Sequence, residues 1–198
     1  MTTLTNSRAK RYMPTLVVPS AARRSALDLA SKRVIDIVLA TVGVIILTPL
    51  WLVVALLIRI SDRGPAFFKQ TRVGKNGQTF TMYKFRTMRV DAEQVKASLE
   101  AANRADVGAG NSVMFKMRDD PRVTRVGRVL RKTSIDELPQ LFNVIKGDMS
   151  LVGPRPPLPS EVATYEPHVM GKFSVRPGIT GLWQISGRSN LSWEETVQ

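Results

Sequence analysis

The sequence predicts an α/β protein: a small mixed cytosolic domain with a β-hairpin and several helices, anchored by an N-terminal re-entrant membrane helix broken at Pro49. Three observations lead to this prediction. The run Ile37–Ile58 carries no charge, two alternating segments flank Asn76-Gly77, and apolar residues after Asp136 recur at helical spacing. The first observation predicts the membrane anchor, and the other two predict the domain.

Length and composition restrict the class of protein. A chain of 198 residues has room for one domain and an appendage. Its 29 Lys and Arg against 16 Asp and Glu give a net charge of +13, which indicates an anionic partner: nucleic acid, lipid headgroups or a phosphorylated substrate. Zero cysteines exclude a disulfide scaffold and a cysteine nucleophile, and a single histidine excludes a multi-histidine metal site.

The N-terminal third carries the signals of membrane attachment. Residues 1–20 lack a sustained apolar period and are predicted to form a mobile tail, followed by an interfacial helix over Ala21–Arg33. The run Ile37–Ile58 then contributes 22 uncharged residues, more than the ~18 that mark a membrane helix. Together the residues 21–62 are predicted to form the anchor.

Pro49 and the flanking charges predict how this anchor enters the bilayer. Proline lacks the amide donor and kinks a helix, and each half of about 11 residues reaches only ~17 Å, about half of a hydrocarbon core. Basic residues are equally frequent on both sides, which favours both ends on the cytoplasmic face. A re-entrant hairpin satisfies both observations, and a straight span is the alternative.

The β-hairpin is predicted from Phe67–Val73 and Thr79–Phe85, which alternate in polarity around an Asn-Gly turn. Its second arm leads into Lys84 and Arg86. Because residues two apart in a strand point to the same face, both cations could reach one phosphate group. A solvated basic face is the alternative for such a pair.

An acidic pair follows, Asp136-Glu137. Ser134 stands three residues before Glu137, the spacing of a capping box, although Pro139 allows the helix to begin as late as Asp136. Either start places Asp136 near the positive end of a helix that ends at Lys146-Gly147. The alternative is a pair of ordinary helix-start acids. Nearby cations and a rigid Gly-Pro-Arg-Pro corner at 153–156 instead favour a site for a metal and a diphosphate.

The long motifs of the chain, in their order, resemble those of one family. They read KFRTM at 84–88, DDPRVTRVGRVLRKTSIDELPQL at 119–141, GDMSLVGPRP at 147–156 and RPGITGLWQISGR at 176–188. Their order resembles that of the bacterial sugar transferases, the monotopic polyprenyl-phosphate phosphoglycosyl transferases. The resemblance runs from about Lys32 to Glu195.

This resemblance implies transfer of a sugar 1-phosphate from a UDP-sugar to undecaprenyl phosphate, with release of UMP, as the first membrane step of exopolysaccharide assembly. It implies Asp136 as the covalent nucleophile, with Glu137 helping to hold Mg²⁺ or to polarise Asp136. Residues 63–198 would form the catalytic domain. Family members use a re-entrant helix broken at a Ser-Pro pair, here Thr48-Pro49. Four cations would bind the phosphates and nucleotide: Lys84, Arg86, Arg131 and Arg155.

The expected location is the cytoplasmic face of the bacterial inner membrane. A non-catalytic membrane adaptor of the same fold is the alternative function, and a nucleic-acid-binding protein is disfavoured by the uncharged run. The resemblance favours UDP-glucose or UDP-galactose as the donor, and an N-acetylated sugar is the alternative. A homodimer is compatible with the sequence but is not predicted by it. Family members continue past residue 195 into a further amphipathic helix, so we expect the sequence ending at Gln198 to be truncated.

Overall fold

The computed structural model describes residues 25–92, 94–95 and 120–181. The predicted tail at 1–20 lies outside them. Helices and strands both occur in this part of the chain, which confirms the α/β prediction. In order they are α1 (Ala26–Asp62), β1 (Phe67–Val73), β2 (Thr79–Phe85), α2 (Arg125–Thr133), α3 (Gln140–Lys146), β3 (Ser150–Val152), α4 (Pro159–Val162) and β4 (Gly178–Thr180). Short 3₁₀ segments lie at Lys75–Gly77, Ile135–Glu137 and Pro167–Ser174.

Helix α1 is continuous over 37 residues. The Ser25 side chain caps its start by accepting from the Leu27 amide, and left-handed Arg63 ends it. The predicted interfacial and membrane helices are thus parts of one helix, and the helix continues through Pro49. The Thr48 hydroxyl donates to the Val44 carbonyl at 2.7 Å. In a regular helix the amide of residue 49 would donate to the Ile45 carbonyl, and proline has no such amide. The Thr48 bond therefore satisfies the preceding carbonyl, that of Val44, and not the one that Pro49 leaves without a donor.

One stripe of α1 packs against the domain while much of the rest stays exposed. The buried stripe comprises Asp36, Ala40, Trp51, Val54 and Ile58, on both sides of Pro49. Its apolar members join a core cluster with Met82, Phe85, Leu130, Leu141, Val144 and Met149. By length and composition α1 could cross a membrane. Its exposed apolar side chains include Val34, Val38, Leu39, Val42, Ile45, Ile46, Leu52, Val53, Leu56, Leu57 and Ile60.

The hairpin forms with the predicted arms. β1 and β2 pair antiparallel from Phe67 opposite Phe85 to Val73 opposite Thr79. Asn76 and Gly77 have φ values of 57° and 72°, the left-handed conformation that favours an Asn-Gly turn. The pairing places Lys84, opposite Phe68, on the face that also carries Arg72. The prediction of a hairpin is therefore confirmed, and its register decides which cations share a face.

A second, parallel strand pair holds the Gly-Pro-Arg-Pro corner in place. β3 pairs with β4, and the Gly178 amide donates to the Pro154 carbonyl at 2.9 Å. A Cβ on Gly178 would lie 2.1 Å from the Gly153 nitrogen, so the close approach of the two backbones requires glycine. The Ser150 hydroxyl donates to Asp36 of α1 at 2.8 Å. The corner is thereby tied to α1.

Candidate functional site

Asp136 and Glu137 lie in the 3₁₀ turn Ile135–Glu137, between α2 and α3. Ser134 has φ 59° and ends α2 in the left-handed conformation, and its side chain makes no capping bond to the turn. The predicted capping box is therefore wrong. Helix α3 begins only after Pro139, its N-cap residue. Asp136 thus precedes α3 instead of lying in its first turn, whereas the predicted C-cap at Gly147, with φ 98°, is confirmed.

The two carboxylates have different surroundings. Glu137 forms an ion pair with Lys84, whose Nζ lies 2.8 Å from Oε1. Asp136 is only 8% exposed. Burial raises the pKa of Asp136, the Glu137 charge raises it further, and the Lys84 and Arg131 charges oppose the shift. A buried carboxylate beside cations is a more reactive group than a solvated one, because water does not shield it.

Arg131 completes this group of side chains. Its Nε donates to the Thr87 hydroxyl at 2.9 Å, which fixes the guanidinium. Burial lowers the pKa of Arg131, and the charge of Asp136 opposes that effect. We call Lys84, Arg131, Asp136 and Glu137 the carboxylate site. Three of the residues named from sequence as phosphate ligand or catalytic group thus lie within reach of Asp136.

Arg86 lies elsewhere. β2 ends at Phe85, and the Arg86 guanidinium extends towards Gly64, just after α1. Its Nη1 is buried without a hydrogen-bond partner among the described residues. The predicted common face of Lys84 and Arg86 depended on a strand that continues past Phe85. Arg86 as a phosphate ligand accordingly finds no support in the contacts described.

Arg155 belongs to a neighbouring group that we call the cation cluster: Arg72, Arg155, Glu161, Tyr165 and Lys172. The two Nη atoms of Arg155 donate to the two carboxylate oxygens of Glu161, at 3.0 and 3.1 Å. Arg72 donates to the Pro156 carbonyl at 3.0 Å. The Lys172 Nζ lies 4.9 Å from the centre of the Tyr165 ring. Three cations therefore surround one buried carboxylate, which leaves the cluster positive.

Burial and mutual repulsion mark this cluster electrostatically. Burial, with repulsion from Arg155, lowers the pKa of Lys172 to about 8. The same two causes lower the pKa of Arg72 to about 10, while the Glu161 and Glu137 charges oppose the shift. Arg72 and Lys84 share one face of the hairpin, so the cluster lies beside the carboxylate site. Sequence analysis did not name Arg72 as a site residue. Its position was a signal, because Arg72 follows Gln70 by two residues on an alternating strand and therefore shares a strand face with it. Glu161 and Lys172 gave no comparable signal.

The residues present could hold a divalent cation only together with a substrate. No group of three or more carboxylate, histidine or cysteine side chains suited to a metal occurs in the described ranges. The adjacent carboxylates of Asp136 and Glu137 nevertheless suit Mg²⁺, which commonly binds one or two carboxylates and completes its shell with water and phosphate oxygens. The donor set therefore fits the expected ion as a partner of a bound diphosphate.

A buried carboxylate with a shifted pKa among fixed cations is a candidate site for chemistry on an anionic substrate. Comparison with known proteins identifies the family. The family model described as bacterial sugar transferase matches residues 27–198. The chain belongs to the bacterial sugar transferase family.

Several characterised or named relatives are similar over most of this chain. A galactosyl transferase of Streptococcus agalactiae is 51% identical over 171 residues, 86% of this chain and 37% of the relative. An exopolysaccharide production protein of Sinorhizobium fredii is 46% identical over 84% of this chain and 74% of the relative. A UDP-glucose:undecaprenyl-phosphate glucose-1-phosphate transferase of Caulobacter vibrioides is 45% identical over 83% and 56%, respectively. The chain thus spans between about a third and three quarters of these relatives.

Proposed function

We propose that this chain transfers a sugar 1-phosphate from a UDP-sugar to undecaprenyl phosphate and releases UMP. The family, and the activity for which the Caulobacter relative is named, support the reaction class. The observation that carries the proposal is the carboxylate site, where buried Asp136 lies beside Lys84 and Arg131. A reaction between anions needs such neutralising cations, because phosphates otherwise repel a carboxylate.

In the first step an Asp136 carboxylate oxygen attacks the sugar-linked phosphorus of the UDP-sugar. A new bond joins Asp136 to that phosphorus, and the bond from the phosphorus to the bridging oxygen breaks. Its electron pair leaves with UMP. In the second step an oxygen of undecaprenyl phosphate attacks the same phosphorus and releases the Asp136 carboxylate. No proton is needed at the leaving group, since UMP departs as an anion.

The surrounding residues supply position and charge. The ion pair with Lys84 holds Glu137 to one side of Asp136, and the bond to Thr87 fixes Arg131. Arginine forks match phosphate oxygens, so Arg131 would bind the transferred phosphate. Bound Mg²⁺, held by Asp136 and Glu137, would neutralise charge on the diphosphate. Each of these roles favours approach of the Asp136 oxygen to phosphorus.

Arg155 would act from the cation cluster. The forked pair with Glu161 orients the Arg155 guanidinium, and a guanidinium fork matches the oxygens of a phosphate. The cluster is positive and adjoins the carboxylate site through Arg72. We therefore extend the proposed diphosphate site from Lys84 and Arg131 to Arg155, with Arg72 and Lys172 adding to its positive potential.

The proposed location is the cytoplasmic face of the inner membrane, with α1 inserted from one side. The domain packs along α1 from Asp36 to Ile58, on both sides of Pro49. A straight span over Ile37–Ile58 would place that domain inside the hydrocarbon region, where exposed polar backbone is not tolerated. Shallow insertion avoids this and brings the carboxylate site to the level of a lipid phosphate.

The test of this function is UMP release from a panel of UDP-sugars with membrane-embedded protein, Mg²⁺ and undecaprenyl phosphate. We expect release with UDP-glucose or UDP-galactose that requires Asp136. Silence across the panel, including N-acetylated sugars, would instead support the non-catalytic adaptor of the same fold. The relatives named above include galactosyl and glucose-1-phosphate transferases, so family membership alone does not select the sugar.

A further inference from the structure

A cavity of about 460 Å³ lies outside the carboxylate site and is lined by Phe67, Lys69, Tyr83, Pro139, Phe142 and Lys146. We call it the aromatic pocket. Its volume lies within the range of sites that hold small organic ligands. Lys69 and Tyr83 are cross-strand partners on the hairpin face opposite Lys84 and Arg72. The pocket is therefore separate from the groups that the proposed reaction uses.

Aromatic contacts join this pocket to α1. The Trp51 ring lies 5.2 Å from the Phe142 ring and 6.1 Å from the Phe85 ring. Phe67 stacks on Phe85 at 5.2 Å. The four rings form a row in the order Phe67, Phe85, Trp51, Phe142. Its two ends, Phe67 and Phe142, line the pocket, and Trp51 belongs to the uncharged run of α1. Both walls remain 43% exposed, although burying such rings is favourable.

The pocket also carries cations. Lys69 is exposed, and Lys146 has an exposed side chain whose Nζ lies 3.3 Å from Asp148 Oδ2. An exposed ion pair of this kind contributes little, so Lys146 can exchange it for another anion. Aromatic rings beneath long cationic side chains are the composition found where proteins meet the headgroup layer of a membrane.

We propose that the aromatic pocket binds an anionic phospholipid of the bilayer. An acyl chain would contact Phe67 and Phe142, and the lipid phosphate would contact Lys69 and Lys146. Apolar walls require a hydrocarbon ligand and the lysines require an anion, and a membrane beside α1 offers both in one molecule. This lipid would secure the contact between α1 and α3 through Trp51 and Phe142, and it is distinct from the acceptor of the reaction.

The test is native mass spectrometry of the full chain released from detergent micelles containing phosphatidylglycerol or phosphatidylcholine. We expect a phosphatidylglycerol adduct that is about 25-fold weaker in Lys69→Gln/Lys146→Gln, since each lysine near an anionic lipid is worth about fivefold in affinity. The control Lys75→Gln/Arg128→Gln removes the same charge from exposed positions outside the pocket and should retain the adduct. Phe142→Ala should weaken the adduct without changing charge.

Three outcomes would overturn the proposal. These are equal loss of the adduct in the pocket and control variants, equal binding of the two phospholipids, and preferential binding of undecaprenyl phosphate that displaces phosphatidylglycerol. The last result would assign the pocket to the acceptor. Asp136→Asn should bind phosphatidylglycerol as the wild type does. Failure of the proposed reaction and failure of this lipid site are therefore distinguishable.

Discussion

Asp136 and Glu137 are adjacent in sequence but differ in environment, and that difference supports different proposed roles for them. The Asp136 residue is 8% exposed, whereas the Glu137 side chain is 35% exposed and paired with Lys84. A buried carboxylate is weakly solvated and reacts readily once a cation or substrate compensates its charge. A paired and half-exposed carboxylate is better suited to position a neighbour. We therefore place nucleophilic attack on Asp136 and positioning on Glu137.

The change Asp136→Asn should abolish UMP release and raise thermal stability at neutral pH. The amide has nearly the same shape but no charge, so folding no longer requires burial of a carboxylate, a gain of roughly 1 kcal/mol. Thermal unfolding in detergent micelles measures the gain. Glu137→Gln is the matched control, and it should not be stabilised because its charge is compensated by Lys84. A less stable Asp136→Asn protein would contradict the electrostatic account of the site.

Lys172 predicts a specific dependence of stability on pH. Its pKa falls to about 8 from the ordinary value of 10.5. Between these values the unfolded state binds more protons, so the stability of the wild type rises as pH increases through this window. Lys172→Met should therefore be more stable than wild type at pH 7, by up to about 3 kcal/mol, and the difference should shrink towards pH 10.5.

Thermal midpoints measured from pH 7 to pH 10.5 test this expectation. Lys75→Met, at an exposed position, is the control and should show no such trend relative to the wild type. A difference between Lys172→Met and wild type that stays constant with pH would show that Lys172 is not buried as a charge.

At the scale of elements, prediction succeeded where local signals are strong. Both arms of the hairpin were predicted because alternation and Asn-Gly agree. The end of α3 was predicted because a glycine follows the basic residue Lys146, and Gly147 does adopt the left-handed conformation. The start of α3 was not predictable from Ser134-Glu137 spacing. The left-handed end of α2 takes Ser134 out of the capping geometry, and residue spacing alone does not reveal that backbone conformation.

Contacts between distant segments were less accessible from sequence. Lys84, Arg131, Asp136 and Glu137 were all named, and the structure brings them together. The cation cluster was missed because Glu161 and Lys172 lie in segments without periodicity, and their proximity to Arg72 and Arg155 arises only from tertiary folding. The interpretation that Arg86 shares a face with Lys84 assumed a longer strand, and β2 ends one residue before Arg86. The sequence thus indicated which side chains belong to the candidate site better than it indicated which residues contact them.

The topology of helix α1 can be tested at its two ends. The chain lacks cysteine, so Ser31→Cys and Ser61→Cys each introduce one label site, near opposite ends of α1 at exposed positions. If α1 enters and leaves on the cytoplasmic face, a membrane-impermeant thiol reagent will label both in inverted vesicles and neither in right-side-out vesicles. Labels on opposite sides would establish a straight span and contradict shallow insertion.

Pro49→Ala sharpens this experiment. Alanine restores an amide donor for the Ile45 carbonyl and removes the residue that favours a kink in the membrane. We expect part of the population to expose its two ends on opposite sides. Leu50→Ala, at the neighbouring position, is the control that leaves the backbone hydrogen bonds unchanged.

In the whole molecule, hydrogen bonds connect helix α1 to the segments that carry the proposed chemistry. Arg33 of α1 donates to the Val144 and Ile145 carbonyls at the end of α3, and Asp36 accepts from Ser150 of β3. The turn with Asp136 precedes α3, and the corner with Arg155 follows β3. A change in the position of α1 therefore reaches both the carboxylate site and the cation cluster. This arrangement suits an enzyme whose acceptor is anchored in the bilayer.

The most direct test of the central claim is intact-mass spectrometry of the membrane-embedded protein after incubation with UDP-sugar and Mg²⁺, without undecaprenyl phosphate. We expect a sugar-phosphate adduct, formed with an equal amount of UMP, which digestion and peptide mass spectrometry locate on the peptide that contains Asp136. The adduct should be absent from Asp136→Asn and should disappear when undecaprenyl phosphate is added. UMP release that requires the acceptor and leaves no adduct, or an adduct that persists in Asp136→Asn, would contradict the assignment of Asp136 as the nucleophile.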